Sequence, residues 1–202
     1  MPSIYDLKPK FQNLLRPITR ALTEGGVTAN QVTVAALLLS AATGACIAIF
    51  PTERWPLVLM GPVLFVRMAL NAIDGMLARE HGMKSALGAV LNEIGDVAAD
   101  AALYLPLALV PGFDPALVVA AVVLAIFTEM TGVVGVQIGA SRRYDGPFGK
   151  SDRAFAFGAT SLLVGLGVPA GLWITVVLAL MVVLLAITVF NRARKALQEM
   201  RK

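Results

Sequence analysis

Six apolar stretches, each near the length needed to cross a lipid bilayer, constrain this chain more than any other feature of it. A helix needs roughly 20 apolar residues to span the hydrocarbon. The stretches run over 27–50, 55–78, 86–110, 116–137, 154–168 and 171–190, the third with polar interruptions and the fifth short. Between them stand turn-formers: Pro51 and Pro56, Pro111 and Gly112, Pro169 and Gly171. With 57% hydrophobic and only 15% charged residues in 202, little is left from which to build a soluble domain. The pattern predicts an all-α integral membrane fold of six transmembrane helices, one membrane domain filling residues 1–202.

The flanks carry the charge. Residues 3–22 place Lys8, Lys10, Arg16 and Arg20 among Phe11, Leu14, Leu15, Ile18 and Leu22, with no small-residue cleavage site. This spacing predicts an amphipathic juxtamembrane helix lying on the membrane surface, in contact with lipid headgroups. Lys and Arg at 8, 10, 16, 20, 79, 84, 142, 143, 150, 153, 192, 194, 195, 201 and 202 fall on one side of the predicted spans, against Arg54 on the other and Arg67 within the second. The positive-inside rule then puts both termini, the 79–85 and 139–153 loops and a basic tail at 191–202 in the cytoplasm. Topology accounts for the net charge of +4, so nucleic acid is not called for as a partner. The single cysteine, Cys46, lies in the first span, which excludes disulfides and thiolate metal sites.

Charges at membrane depth are costly and mark functional sites. Here they are Asp74, Glu93, Asp96, Asp100 and Glu129, with Arg67 as the lone base. Arg67, Asn71 and Asp74 are spaced i, i+4, i+7 on the second span and share a face. Asn92, Asp96 and Asp100 are spaced i, i+4, i+8 on the third, with Glu93 at the edge. Two such stripes on consecutive antiparallel helices face each other. Their oxygen-only donors suit a hard cation such as Mg²⁺, Mn²⁺ or Ca²⁺. Counting residues outward from the short turn between the two helices brings Asn71 level with Asp96, and Arg67 level with Asp100. An Arg67–Asp100 pair is therefore expected, with Glu129 as the competing partner and Asp100 otherwise free to bind metal. Gly135 and Gly139 form a GxxxG on the fourth span, read as packing or a dimer contact.

The run Asn71-Ala-Ile-Asp74-Gly75-Met-Leu-Ala78-Arg79, eight further residues, and then Gly88-Ala-Val-Leu-Asn92-Glu-Ile-Gly-Asp96 resembles the signature of the class I CDP-alcohol phosphatidyltransferase family. That signature reads D-x-x-D-G-x-x-A-R-x(8)-G-x-x-x-D-x-x-x-D. Asp74, Gly75, Ala78, Arg79, Gly88 and Asp96 match it, while Asn71 and Asn92 stand in place of the first and third Asp. The segment Gly146-Pro-Phe-Gly-Lys150-Ser-Asp152-Arg153 is similar to a bacterial branch of the family that shares both asparagines.

The resemblance implies transfer of a phosphatidyl group from CDP-diacylglycerol, or another CDP-alcohol, to an acceptor alcohol with release of CMP, at the cytoplasmic face of a bacterial inner membrane and in a homodimer. It implies one or two Mg²⁺ or Mn²⁺ ions. Asp74 would be a ligand, and Asp96 either a ligand or the base that deprotonates the acceptor. Asn71, Asn92, Glu93 and Asp100 are the remaining candidate ligands. Asp74, Gly75, Ala78, Arg79 and Gly88 would take the nucleotide, and Arg142, Arg143, Lys150 and Arg153 an acceptor or headgroup phosphate. A carboxylate-relay transporter would be expected to show an internal repeat, and the chain has none.

Overall fold

The computed structural model describes the backbone of residues 4–201 and the side chains of residues 11–201. Seven α-helices follow one another: α1 (Ile4–Glu24), α2 (Ala29–Ile49), α3 (Trp55–Glu80), α4 (Ala86–Tyr104), α5 (Pro115–Gln137), α6 (Lys150–Gly165) and α7 (Leu172–Glu199). A 3-10 helix, Leu105–Leu109, extends α4, and no strand occurs among the described residues.

Local chemistry sets the boundaries. Thr28 caps α2, its hydroxyl accepting from the Gln31 amide at 3.3 Å while the Gln31 side chain accepts from the Thr28 amide at 2.8 Å. Ser85 caps α4 through the Gly88 amide at 2.9 Å, and Asp114 caps α5 through the Leu117 amide at 3.1 Å, with Pro115 in the first turn. Pro106 offers no amide to the Ala102 carbonyl, and there the α-helix gives way to the 3-10 turn. That carbonyl sits against Gly44 of α2, where a Cβ would overlap its oxygen. Glycine is what lets α2 and α4 approach so closely.

The helices α2, α3, α5 and α7 are each long and apolar enough to cross a membrane. The other two stretches, α4 and α6, differ for visible reasons: α4 carries Glu93, Asp96 and Asp100, and α6 has 16 residues. Helix α2 packs between α3 and α4, α6 packs on α3, and α5 pairs with α7. A core of Ile47, Met60, Leu103, Leu107, Val118, Ile174, Leu178 and Leu185 is almost fully buried, and Tyr104 stacks on Phe157 at 4.4 Å. Outside it, large apolar side chains such as Phe65, Ile94, Phe155, Leu172 and Phe190 are exposed, as in a surface facing lipid.

Helix α1 runs unbroken through Pro9 and Pro17 and packs on α3. Leu15 is buried there, Arg16 pairs with Glu80 at 3.3 Å, and Phe11 meets Phe65 edge-on. The side chains of Lys8 and Lys10 lie outside the described residues. Within the expected basic tail at 191–202, α7 continues to Glu199, and Arg192 is 2% exposed. Its guanidinium serves the Thr128 carbonyl at 2.5 Å and the Asp145 carbonyl at 3.3 Å, so a charge that composition assigns to a solvated end is an interior tie.

Candidate active site

The stripes on α3 and α4 do face each other. The Asn71 amide nitrogen donates to Asp96 Oδ1 at 3.3 Å, and Arg67 donates to the Asp96 carbonyl at 3.3 Å and pairs with Asp100 at 2.7 Å. Helical spacing explains both contacts, since the short turn holding Gly82 and capped by Ser85 sets the register of the two helices. Asp74 is 6% exposed and accepts from the Thr33 hydroxyl of α2 at 2.9 Å, a contact the stripes alone do not foretell.

From Asp96 a chain of alternating charge runs through the molecule. Lys150 of α6 reaches Asp96 Oδ2 at 2.5 Å, and Arg67 lies 4.0 Å from its other oxygen. Asp100 sits between Arg67 and Arg153, the latter at 3.0 Å. Glu129 of α5 then joins Arg153 at 3.1 Å, Arg192 at 3.4 Å and Arg142 at 3.4 Å, and Arg142 ends the chain on Glu93 at 2.7 Å. Burying charges is tolerable only when each is paired and hydrogen-bonded. Arg153, with 1% of its side chain exposed, has two carboxylates and the Thr128 hydroxyl on its terminal nitrogens, while its Nε is buried without a partner. Arg142 also donates to the Glu129 carbonyl and lies over the Tyr144 ring.

Three clefts adjoin one another, the first and second sharing Asn92 and the second and third sharing Asp100 and Lys150. The first, of about 590 Å³, lies between α2, α3 and α4; Asp74, Gly75, Ala78, Arg79, Gly88 and Asn92 line it, joined by Asn30 and Lys84. The second, of about 290 Å³, lies between α4, α5, α6 and the 141–149 loop, with Asp96, Lys150 and Arg142 on its walls. The third, of about 560 Å³, is a largely apolar groove between α3 and α6, walled by Leu64, Phe65, Phe155 and Leu162, with Arg67, Asn71 and Lys150 at its polar end.

The expected residues thus separate. Asp74, Asn71, Asn92 and Asp96 stay together around the α3–α4 face, whereas Glu93 and Asp100, expected as candidate ligands, are engaged by arginines. Glu93 follows Asn92 by one residue, about 100° further round the helix, which turns it to Arg142. Arg153, expected at a phosphate, is instead buried against Asp100 and Glu129. Arg143 lines none of these clefts and joins Asp145 at 2.6 Å and Glu199 at 2.7 Å, tying the loop to α7. Burial alone would raise the Asp145 carboxyl, yet hydrogen bonds from Lys195 and Arg143 hold it below its ordinary value. Gly135 of the GxxxG packs against Arg143 and Ala196 of the same chain, a contact inside the fold.

Among the described residues no three His, Cys, Asp or Glu side chains converge as a metal cluster. The donor set is two carboxylates, Asp74 and Asp96, with the amide oxygens of Asn71 and Asn92 beside them. All are hard oxygens, which fits Mg²⁺ or Mn²⁺ held by fewer charges than four carboxylates would supply.

Comparison with known proteins supplies an independent line. The family model for CDP-alcohol phosphatidyltransferases matches residues 26–150. The inner membrane protein YnbA of Escherichia coli is 44% identical over 195 residues, 96% of each chain. The archaetidylinositol phosphate synthase of Pyrococcus horikoshii is 31% identical over 103 residues, 51% of this chain and 52% of that one. The crystal structure of Mycobacterium tuberculosis phosphatidylinositol phosphate synthase with CDP-DAG bound superposes with a TM-score of 0.77 at 22% identity, covering 89% of this chain and 92% of that chain. The same enzyme in complex with manganese and citrate gives a TM-score of 0.76.

Proposed function

The chain belongs to the CDP-alcohol phosphatidyltransferase family, and on that premise we propose that it transfers the phosphatidyl group of CDP-diacylglycerol, or of a related CDP-alcohol, to an acceptor alcohol and releases CMP. The observation that carries this reading is the meeting of the signature positions. Asn71 and Asp96 touch, while Asp74, Gly75, Ala78, Arg79, Gly88 and Asn92 line one adjoining cleft. Arg79 and Lys84 give that cleft positive charge suited to a diphosphate.

The roles follow from position. The nucleotide enters between α2, α3 and α4, where Gly88 leaves room beside Asn30. The acyl chains lie along the apolar groove between α3 and α6, which reaches Asn71 and Lys150. The acceptor approaches through the cleft beside Lys150 and Arg142. Asp96, on the wall of the acceptor cleft one turn from Asn92, which lines both polar clefts, takes the proton of the acceptor hydroxyl, a step worth about 10²–10⁴-fold when the base is well placed. The oxygen so freed bonds to the phosphorus that carries diacylglycerol, and the bond from that phosphorus to the CMP oxygen breaks. A divalent cation held by Asp74 and Asp96, with help from Asn71 and Asn92, would offset the charge growing on the departing CMP phosphate. The manganese and CDP-DAG of the mycobacterial structures belong to that enzyme and support this assignment by analogy of fold.

Under the same reading α4 and α6 complete six spans with α2, α3, α5 and α7, both termini face the cytoplasm, and α1 lies on the membrane surface with Leu14 and Ile18 toward lipid. The E. coli relative's name, an inner membrane protein, supports the location. Two copies form a homodimer, which cross-linking in native membranes tests. For the chemistry, the purified protein with CDP-diacylglycerol and Mg²⁺ or Mn²⁺ is expected to release CMP when an acceptor alcohol is added and to stop when EDTA is added. CMP release indifferent to EDTA would overturn the metal assignment.

A further inference from the structure

The cleft assigned to the acceptor holds no uncommitted cation. Its bases are Arg142, Lys150, Arg153 and Arg192, and each already meets a carboxylate: Glu93 at 2.7 Å, Asp96 at 2.5 Å, Asp100 at 3.0 Å and Glu129 at 3.4 Å respectively. Against these four stand five lining acids, Glu93, Asp96, Asp100, Glu129 and Asp152. Arg67, behind Asp100, brings the two counts level at five each. The neighbouring nucleotide cleft is different. There Arg79 and Lys84 stand against Asp74 alone, and neither base has a carboxylate partner among the described residues. The protein thus keeps free positive charge where a diphosphate would lie and balances it where the acceptor would stand.

A phosphate monoester brings about −1.5 to −2 charges at neutral pH. To bind in the balanced cleft it must take a cation from a carboxylate, and like charges brought together cost several kcal/mol. Of the four pairs, Arg142–Glu93 has the most exposed carboxylate, the Glu93 side chain being 40% exposed while those of Asp96, Asp100 and Glu129 are 27%, 8% and 14% exposed. We propose that the acceptor is an alcohol with no net negative charge, a polyol or a zwitterionic amino alcohol. In this scheme Glu93 is the residue that excludes phosphorylated acceptors by occupying Arg142. The proposal rests on the transferase reading and sharpens its substrate.

The experiment compares matched pairs with the purified chain, CDP-diacylglycerol and Mg²⁺: glycerol and sn-glycerol 3-phosphate, myo-inositol and its phosphate, serine and phosphoserine. The parent alcohols are expected to show kcat/KM at least about tenfold above their phosphates, and Glu93→Gln to shift that ratio toward the phosphates by about tenfold or more. A wild-type preference for the phosphates, or a ratio that Glu93→Gln leaves unchanged, overturns the proposal. A calorimetric titration with sn-glycerol 3-phosphate alone needs no turnover. Saturable millimolar binding is expected in Glu93→Gln and not in the wild type, and saturable binding to the wild type counts against the proposal. If no acceptor releases CMP, the transferase reading fails while the titration still decides this one.

Discussion

Asp96 and Asp100 lie one helical turn apart on α4 and are put to different uses by what faces them. Asp96 has 27% of its side chain exposed and opens onto the acceptor cleft, with Asn71 and Lys150 orienting its oxygens. Asp100 is wedged between two buried arginines. The same substitution should therefore fail in two ways. Asp96→Asn keeps the shape but removes the base, so CMP release is expected to fall about 10²–10⁴-fold while thermal unfolding in detergent stays near that of the parent protein. Asp100→Asn leaves Arg67 and Arg153 short of countercharge inside the bundle. Removing one partner of a buried pair costs about 3–5 kcal/mol, so that variant is expected to lose stability first. Equal unfolding temperatures for the two variants would contradict the division of labour.

Among the elements, those built from local sequence are the ones most readily read from it. The stretches at 27–50, 55–78 and 116–137 lie within two residues of α2, α3 and α5 at each end, because apolar runs bounded by Thr28, Pro56 and Asp114 carry their own stop and start signals. The facing of Asn71 on Asp96 and of Arg67 on Asp100 was legible too, since a short turn and a 1.5 Å rise per residue fix depth on two antiparallel helices. What pairs across long separations was not. Glu129, Arg142, Arg153 and Arg192 come from α5, a loop, α6 and α7, and only packing brings them together. Their one sequence trace is a carboxylate at membrane depth that needs a countercharge. The 141–149 loop shows the same limit, being anchored to α7 by Arg143, Asp145, Lys195 and Glu199. Because folding lowers the Asp145 pKa, its contribution is complete above the unfolded value of about 3.9 and is lost as pH falls through the folded value. A spin label at Tyr144→Cys in a Cys46→Ala background should stay immobile from neutral pH to about 4 and loosen only below it. Loosening centred above pH 4 would contradict the anchor.

At the scale of the molecule, an apolar exterior surrounds a buried network whose cations and acids alternate, and the acceptor cleft adjoins the nucleotide cleft at Asn92 and the apolar groove at Lys150. On the proposed topology, with both termini cytoplasmic, Gln198→Cys should react with an impermeant maleimide only from the cytoplasmic side, and Thr52→Cys only from the opposite side. The reverse labelling would place the clefts on the wrong face for a CDP-linked substrate. The central claim is that substituted phosphate moves as a unit from CMP to an acceptor hydroxyl. It is tested most directly with CDP-diacylglycerol carrying radiolabel in the lipid-side phosphate, incubated with the purified protein, Mg²⁺ and glycerol, then separated into lipid and aqueous products. The label is expected in a new phospholipid formed in step with unlabelled CMP, and neither product is expected with EDTA or with Asp96→Asn. Label that stays in CDP-diacylglycerol with every acceptor, or that passes to the aqueous phase as free phosphate, would contradict the account.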